Sequence, residues 1–301
     1  MVSHQSRVLW GIILAVVAAV PAEASVSFTA SFKAHDSYAY FVENTCRLER
    51  SISGEEPDAA GKYPVLVYVH GTGAENGDLA TGRAVMAAAA AAGFVAVAPT
   101  YVGGPTVSSP HGIDLQTRCM FDQSLPTTVL SAVCARPKAD CTRIVAAGHS
   151  QGGMITLRAA NWANGVRAGW ALGVFDNLFT NTFTSQENGG TRALSNARVR
   201  VVTGRDDMDL RPTDTWGSLN RFTGQSCGWG TVNCLRGDGS GWYVVPHAQP
   251  PAGPTDGFAD HCYMNENGTR CYDVMPVDPF WRDGSAPWTL PSALSWLKSQ
   301  V

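Results

Sequence analysis

The plainest chemistry in this chain lies in one run, Ile144-Val145-Ala146-Ala147-Gly148-His149-Ser150-Gln151-Gly152-Gly153. An apolar strand-like stretch, a Gly-x-Ser-x-Gly pentapeptide and a helix-forming segment follow one another. That order presents a serine on a sharp strand-to-helix turn. The turn needs glycines because flanking side chains would block the chain from closing around a strained serine. The chemistry it offers is nucleophilic attack by the Ser150 hydroxyl on a carbonyl carbon. The helix that follows turns unpaired N–H groups toward the negative charge that develops. A second run stands upstream, Tyr63-Pro64-Val65-Leu66-Val67-Tyr68-Val69-His70-Gly71-Thr72-Gly73. A His-Gly pair directly after a strand supplies the other half of an oxyanion hole, so the backbone N–H groups of Thr72 and Gln151 are the expected donors. One such donor typically lowers a barrier by about 2.7–4 kcal/mol. His70 is expected to hold its loop rather than to react.

These residues need a frame. Short apolar runs recur at Val65–Val69, Phe94–Ala98, Ile144–Ala147, Trp170–Phe175, Val199–Thr203 and Trp242–Val245. Nearly continuous apolar character over four to six residues fits strands buried on both faces of a parallel sheet. Segments of helical composition lie between them: Leu79–Ala92, Thr117–Cys134, Gly153–Ala163, Thr213–Phe222 and, at the end, Pro291–Gln300. The alternation predicts an α/β domain with a mostly parallel sheet covered by helices on both faces. Val26–Lys33 and Ser37–Val42 are expected to add an antiparallel edge hairpin, and Pro246–Gly257 reads as one long loop.

The first 24 residues read differently. Arg7, an apolar run from Val8 to Val20 and the sequence Ala22-Glu23-Ala24 form the pattern of a secretory signal peptide cut near Ala24. Thirteen apolar residues are too few to span a bilayer, which takes about 20. The remainder, 25–301, is expected to be one catalytic domain, secreted to the periplasm or the exterior. Eight cysteines behind an export signal predict disulfides. Short loop closure suggests Cys227–Cys234, Cys262–Cys271 and Cys134–Cys141, which leaves Cys46–Cys119. No Cys-x-x-Cys or paired Cys/His cluster suggests a metal. A net charge of −3 with 16% charged residues provides no basic field, which argues against nucleic acid.

The two motifs and their frame resemble the α/β-hydrolase superfamily, in particular small secreted esterases similar to dienelactone hydrolases and polyester depolymerases. The resemblance runs from about Tyr63 onward. It implies the chain order serine, acid, histidine. The strand Val199–Thr203 ends in Gly204-Arg205-Asp206-Asp207-Met208-Asp209, and the family pattern Gly-x-x-Asp selects Asp207, with Asp206 and Asp209 as alternatives. Of seven histidines, His247 and His261 follow the acid. His261 is the expected base, because a Cys262–Cys271 bridge would hold its loop, and His247 is the alternative.

The resemblance implies ester hydrolysis through an acyl-enzyme, without a cofactor or metal, by a protein expected to be a monomer with no membrane span. Only 23 residues, 176–198, separate the fourth and fifth predicted strands. This leaves no room for a lid domain and predicts an open cleft suited to bulky or polymeric esters. Tyr101, Thr72 and His149 are the candidates for lining it. Trp170, Trp216, Trp229 and Trp242 read as packing residues. A secreted serine peptidase or acyltransferase on the same fold is the alternative enzyme, and a non-catalytic binding protein the alternative of another class.

Overall fold

A computed structural model describes residues 24–36, 46–72, 79–103, 110–174, 192–207, 212–266 and 275–301. Its strands are β1 (Ser25–His35), β2 (Cys46–Pro57), β3 (Tyr63–Val69), β4 (Val95–Pro99), β5 (Ala139–His149), β6 (Val166–Leu172), β7 (Val199–Gly204), β8 (Asn233–Leu235) and β9 (Gly241–Val245). They form one sheet in the order β1-β2-β4-β3-β5-β6-β7-β9-β8. The six inner strands from β4 to β9 run parallel, while β1, β2 and β8 join antiparallel at the two edges.

The period-2 geometry of a strand sends successive side chains to opposite faces, and here both faces are apolar. Val65, Val67 and Val69 of β3, with Ile144 and Ala146 of β5, point to one side. They pack there with α2 (Pro110–Phe121), α3 (Val129–Cys134), α4 (Gln151–Arg158) and α5 (Pro212–Thr223). Leu66, Tyr68, Val145 and Ala147 point to the other. Their partners are α1 (Leu79–Ala91), α6 (Pro279–Asp283) and α7 (Leu290–Lys298). This two-sided burial is why the inner strands read as unbroken apolar runs.

Three expectations change. The helix predicted over Thr117–Cys134 is two helices, because Asp122 accepts from the Ser124 N–H (2.9 Å), Pro126 carries no N–H, and Thr128 caps α3 through the Ser131 N–H (3.2 Å). The edge hairpin pairs β1 with β2, in register from Ser25↔Pro57 to Ala34↔Leu48, with a shift before His35↔Cys46. Its predicted second strand, Ser37–Val42, lies outside the described residues. The fourth predicted strand is shifted, running from Val166 to Leu172, and Phe175 is also outside.

Disulfides join Cys46 to Cys119, Cys134 to Cys141 and Cys227 to Cys234. Two of these are short-loop pairs that spacing suggested, and Cys46–Cys119 is the pair that was left over. Cys262 is also disulfide-bonded, and Cys271 lies outside the described residues. The Cys46–Cys119 bridge spans a sequence separation of 73 and ties the start of β2 to α2. By loop-closure entropy a bridge of that span is worth roughly 4 kcal/mol. A Cys46→Ala/Cys119→Ala variant should therefore lose stability of that order in urea unfolding, with fold and secondary structure retained. An unchanged midpoint would mean that the edge hairpin is held by its other contacts.

Candidate active site

Parallel strands end together, and the carboxyl ends of β3, β5, β7 and β9 bring His70, Ser150, Asp207 and His247 to one edge of the sheet. Such an edge is the usual place for a site in an open α/β sheet. Ser150 follows the last residue of β5 and is the N-cap of α4, at φ 53° and ψ −119°. It is the single non-glycine residue with positive φ among the described residues. A backbone held there costs on the order of 1–3 kcal/mol. Its N–H donates to the Leu172 carbonyl of β6 at 2.8 Å, which helps to hold the turn.

The glycines of the motif have a spatial reason. A Cβ on Gly152 would run into the carbonyls of Val69 and His70, and one on Gly148 would meet Gly152 itself. The first turn of α4 thus lies directly against the end of β3. Here Thr72 donates through Oγ1 to Gln151 Oε1 at 3.0 Å, so the two residues expected to supply oxyanion donors are side by side.

His70 is buried behind this turn. The Tyr101 N–H donates to its Nε2 at 3.3 Å, its Nδ1 donates to the Gly71 carbonyl at 2.7 Å, and the Tyr101 ring stacks on it with centroids 4.2 Å apart. Tyr101 in turn donates its hydroxyl to the His70 carbonyl at 2.7 Å and is fully buried. Burial pushes its phenol well above the ordinary range. Tyr101 is therefore a prop beneath the turn rather than a wall of a cleft, since its one polar group already serves the backbone.

Asp207 and His261 come together across the carboxyl edge. His261 Nδ1 donates to Asp207 Oδ2 at 2.6 Å, and the carboxylate is completely buried. With Nδ1 carrying the proton, Nε2 is the basic nitrogen. Asp206 meets the other histidine. His247 Nδ1 donates to Asp206 Oδ2 at 2.8 Å, but the His247 side chain is 55% exposed and its ring packs edge-on to Phe258. Two of the three candidate acids thus each hold one of the two candidate bases, and the His261 pair adjoins the serine motif through His149. The rings of His149 and His261 lie 4.6 Å apart, and His149 Nε2 donates to the His261 carbonyl at 2.8 Å. Asp209 lies outside the described residues.

His149 is a residue whose role the sequence did not reveal. It is buried, and its ring holds the backbone of the histidine loop instead of facing a cleft. Burial, reinforced by the nearby His261, pushes its pKa down to about 3. Burial also pushes Asp260 up to about 6, helped by Asp207 and Asp256 and opposed by the Cys262 N–H. Of the four tryptophans named from the sequence, Trp170, Trp216 and Trp242 are buried as expected. Trp229 is the exception at 66% exposed, tilted against Trp216 with Arg205 over both rings. No group of three or more Asp, Glu, His or Cys among the described residues has the arrangement of a metal site.

Comparison with known proteins gives one family. Residues 34–164 match the family model named Chlorophyllase, an α/β-hydrolase-type family. The match takes in the His70 turn and Ser150 and ends before Asp207 and His261. The architecture is the α/β-hydrolase fold, with its mostly parallel sheet between two layers of helices. No curated protein matches the chain. A crystal structure of hypothetical protein PA2218 from Pseudomonas aeruginosa is similar at 19% identity and a TM-score of 0.36, over 56% of this chain and 50% of that one. The chain thus spans about half the length of that protein.

The depressed pKa of His149 has a consequence for stability. An unfolded histidine takes up its proton near pH 6.5, whereas folded His149 does so only near 3. Between those values the unfolded state holds the extra proton. Stability therefore falls as pH is lowered through this window, with a slope approaching about 1.4 kcal/mol per pH unit. His149→Gln keeps an N–H for the His261 carbonyl but does not titrate. Its urea-unfolding stability should vary less with pH from 6.5 to 3 than that of the wild type; parallel curves would exclude His149 as the group.

Proposed function

We propose that this protein is a secreted serine hydrolase that cleaves carboxylic esters through an acyl-enzyme. The observation that carries this reading is the Asp207–His261 hydrogen bond of 2.6 Å, packed through His149 against the strained turn of Ser150. Strain at a serine that the surrounding sheet holds in place is a mark of a functional site. The name of the matching family, Chlorophyllase, also fits ester hydrolysis.

In this mechanism His261 Nε2 takes the proton of Ser150 as its Oγ attacks the ester carbonyl. The charge that forms on the carbonyl oxygen is held by the N–H groups of Thr72 and Gln151. The C–O bond to the alcohol breaks, and His261 returns the proton to the leaving oxygen. Water, deprotonated by the same nitrogen, then attacks the acyl-enzyme, releases the acid and restores Ser150. Asp207 keeps His261 in the Nδ1–H tautomer and stabilises the imidazolium that forms at each proton transfer. The scheme uses the side chains of Ser150, Asp207 and His261, the backbone N–H groups of Thr72 and Gln151, and one water.

The substrate class proposed is a bulky or polymeric ester, supported by the short connection between β6 and β7, which leaves little chain for a covering domain. Secretion is supported by the disulfides, by the N-terminal pattern and by the start of β1 at Ser25, directly after the expected cleavage point. No helix among the described residues is long and apolar enough to cross a membrane.

Ser150→Ala should abolish turnover of a short p-nitrophenyl ester, and retained turnover would remove Ser150 from the mechanism. In the same assay His261→Ala should lose at least about 10³-fold in kcat, whereas His247→Ala should stay within a few-fold of wild type. The reverse order would make His247 the base. A parallel screen of polyester films against soluble esters reads out the substrate class.

A further inference from the structure

Two consecutive aspartates follow β7, and only one of them is used by the proposed chemistry. The other makes a set of contacts of its own. The Asp206 N–H donates to the Ala259 carbonyl at 2.7 Å, and the Ala259 N–H donates back to Asp206 Oδ2 at 3.0 Å. Residue 206 and residue 259 are therefore joined by two reciprocal hydrogen bonds. The same oxygen, Oδ2, accepts from His247 Nδ1 at 2.8 Å. A carboxylate only accepts, so His247 carries its proton on Nδ1, and its ring is lodged between Asp206 and Phe258, whose centroid is 4.9 Å away. Val245, the last residue of β9, accepts the Arg205 N–H at 2.9 Å, which fixes the chain entering His247 beside the chain entering Asp206.

Ala259 stands two residues before His261. The loop between them crosses so close to the end of β7 that a Cβ on Gly204 would collide with the carbonyls of Ala259 and Asp260. From the opposite side His149 holds the His261 carbonyl. The histidine loop is thus gripped at Ala259 by Asp206 and at the His261 backbone by His149, and the ring between the two grips meets Asp207. A proton relay needs its base placed within a few tenths of an ångström, and a displacement of about 1 Å can cost on the order of a hundredfold in rate.

We propose that Asp206 and His247 form a positioning pair, which anchors the His261 loop at Ala259 and so sets the placement of His261 without touching the substrate. This rests on Ser150, Asp207 and His261 being the reacting triad. It assigns different work to neighbouring aspartates: Asp207 acts on the imidazole, and Asp206 acts through the backbone that carries it. His247 supports Asp206 by fixing the direction of the carboxylate.

The test compares Asp206→Ala, Asp206→Asn, His247→Ala and Asp207→Ala with wild type on a short p-nitrophenyl ester, alongside amide hydrogen exchange at Ala259. Asp206→Ala should lower kcat about tenfold with KM within about twofold, and speed exchange at Ala259. Asp206→Asn should recover most of the loss, because its side-chain carbonyl still accepts the Ala259 N–H. His247→Ala should cost about two- to threefold, and Asp207→Ala about 10³–10⁴-fold. A folded Asp206→Ala with wild-type kcat and slow exchange overturns the proposal, and so does a loss as deep as that of Asp207→Ala, which would make Asp206 the acid. If Asp206→Ala does not fold, Asp206→Asn and His247→Ala decide: wild-type kcat and exchange in His247→Ala overturn the pair. Should wild type turn over no ester, the hydrolase reading fails by itself. Exchange at Ala259 then still decides the anchor, with faster exchange in Asp206→Ala supporting it and unchanged exchange overturning it.

Discussion

The close approach of α4 to the end of β3 is the contact around which the site is built. With no side chain at Gly152, the first turn of the helix rests on the carbonyls of Val69 and His70, and Gly148 lets the strand pass equally close to Gly152. The parallel pairing of β3 with β5, which sets Val69 opposite Gly148, fixes that contact from below. Ser150 is then left with one way to join strand to helix, and it takes the positive-φ conformation. The strain is local, whereas the sheet, the helix and the hydrogen bond to Leu172 that oppose its relief are shared with the core. A serine in such a turn is aimed by the fold rather than by its own side chain.

The same logic of fixed backbone extends around the edge of the sheet. Tyr101 and His70 prop the turn after β3, Thr72 links it to Gln151, and His149 links the serine turn to the histidine loop. His70, Tyr101, His149 and Gln151 are buried, so an unmade partner there would be costly. His149 shows the trade in its acid–base behaviour. A ring that must donate from Nε2 in a buried place is kept neutral, and its proton affinity falls accordingly. In the proposed reaction, groups arranged this way around Ser150 and His261 would need little reorganisation as charge develops.

The rest of the molecule keeps this edge in register. One layer of helices is anchored by the disulfides of α2 and α3 to β2 and β5, and Cys227–Cys234 closes the turn into β8. The outer hairpin adds an ion pair at 2.8 Å between Arg136 and Glu56, with the guanidinium over the Phe28 ring. On the other layer Trp281 and Trp288 are fully buried in the cluster that also holds Ala259, Cys262 and Tyr263. The C-terminal helices therefore support the histidine loop from beneath.

Most of the frame was legible in the sequence because burial on both faces writes itself as unbroken apolar runs, and because a Gly-x-Ser-x-Gly turn between such a run and a helix has few other uses. The elements that were misread fall where local pattern is weak: a helix divided by Asp122 and Pro126, and a hairpin whose second strand alternates with charged residues. Cysteine spacing was enough to suggest three bridges, since short loops close most readily. The resemblance to α/β-hydrolases, through its chain order, also narrowed the expected acid to three aspartates and the expected base to two histidines. Which acid meets which histidine depended on contacts between segments far apart in the chain, 54 residues for Asp207 with His261 and 41 for Asp206 with His247. Nor could one dimension reveal that Tyr101 and His149 hold backbone. A side chain's work depends on which carbonyl the folded chain sets beside it, and only the packing of sheet, helix and loop decides that.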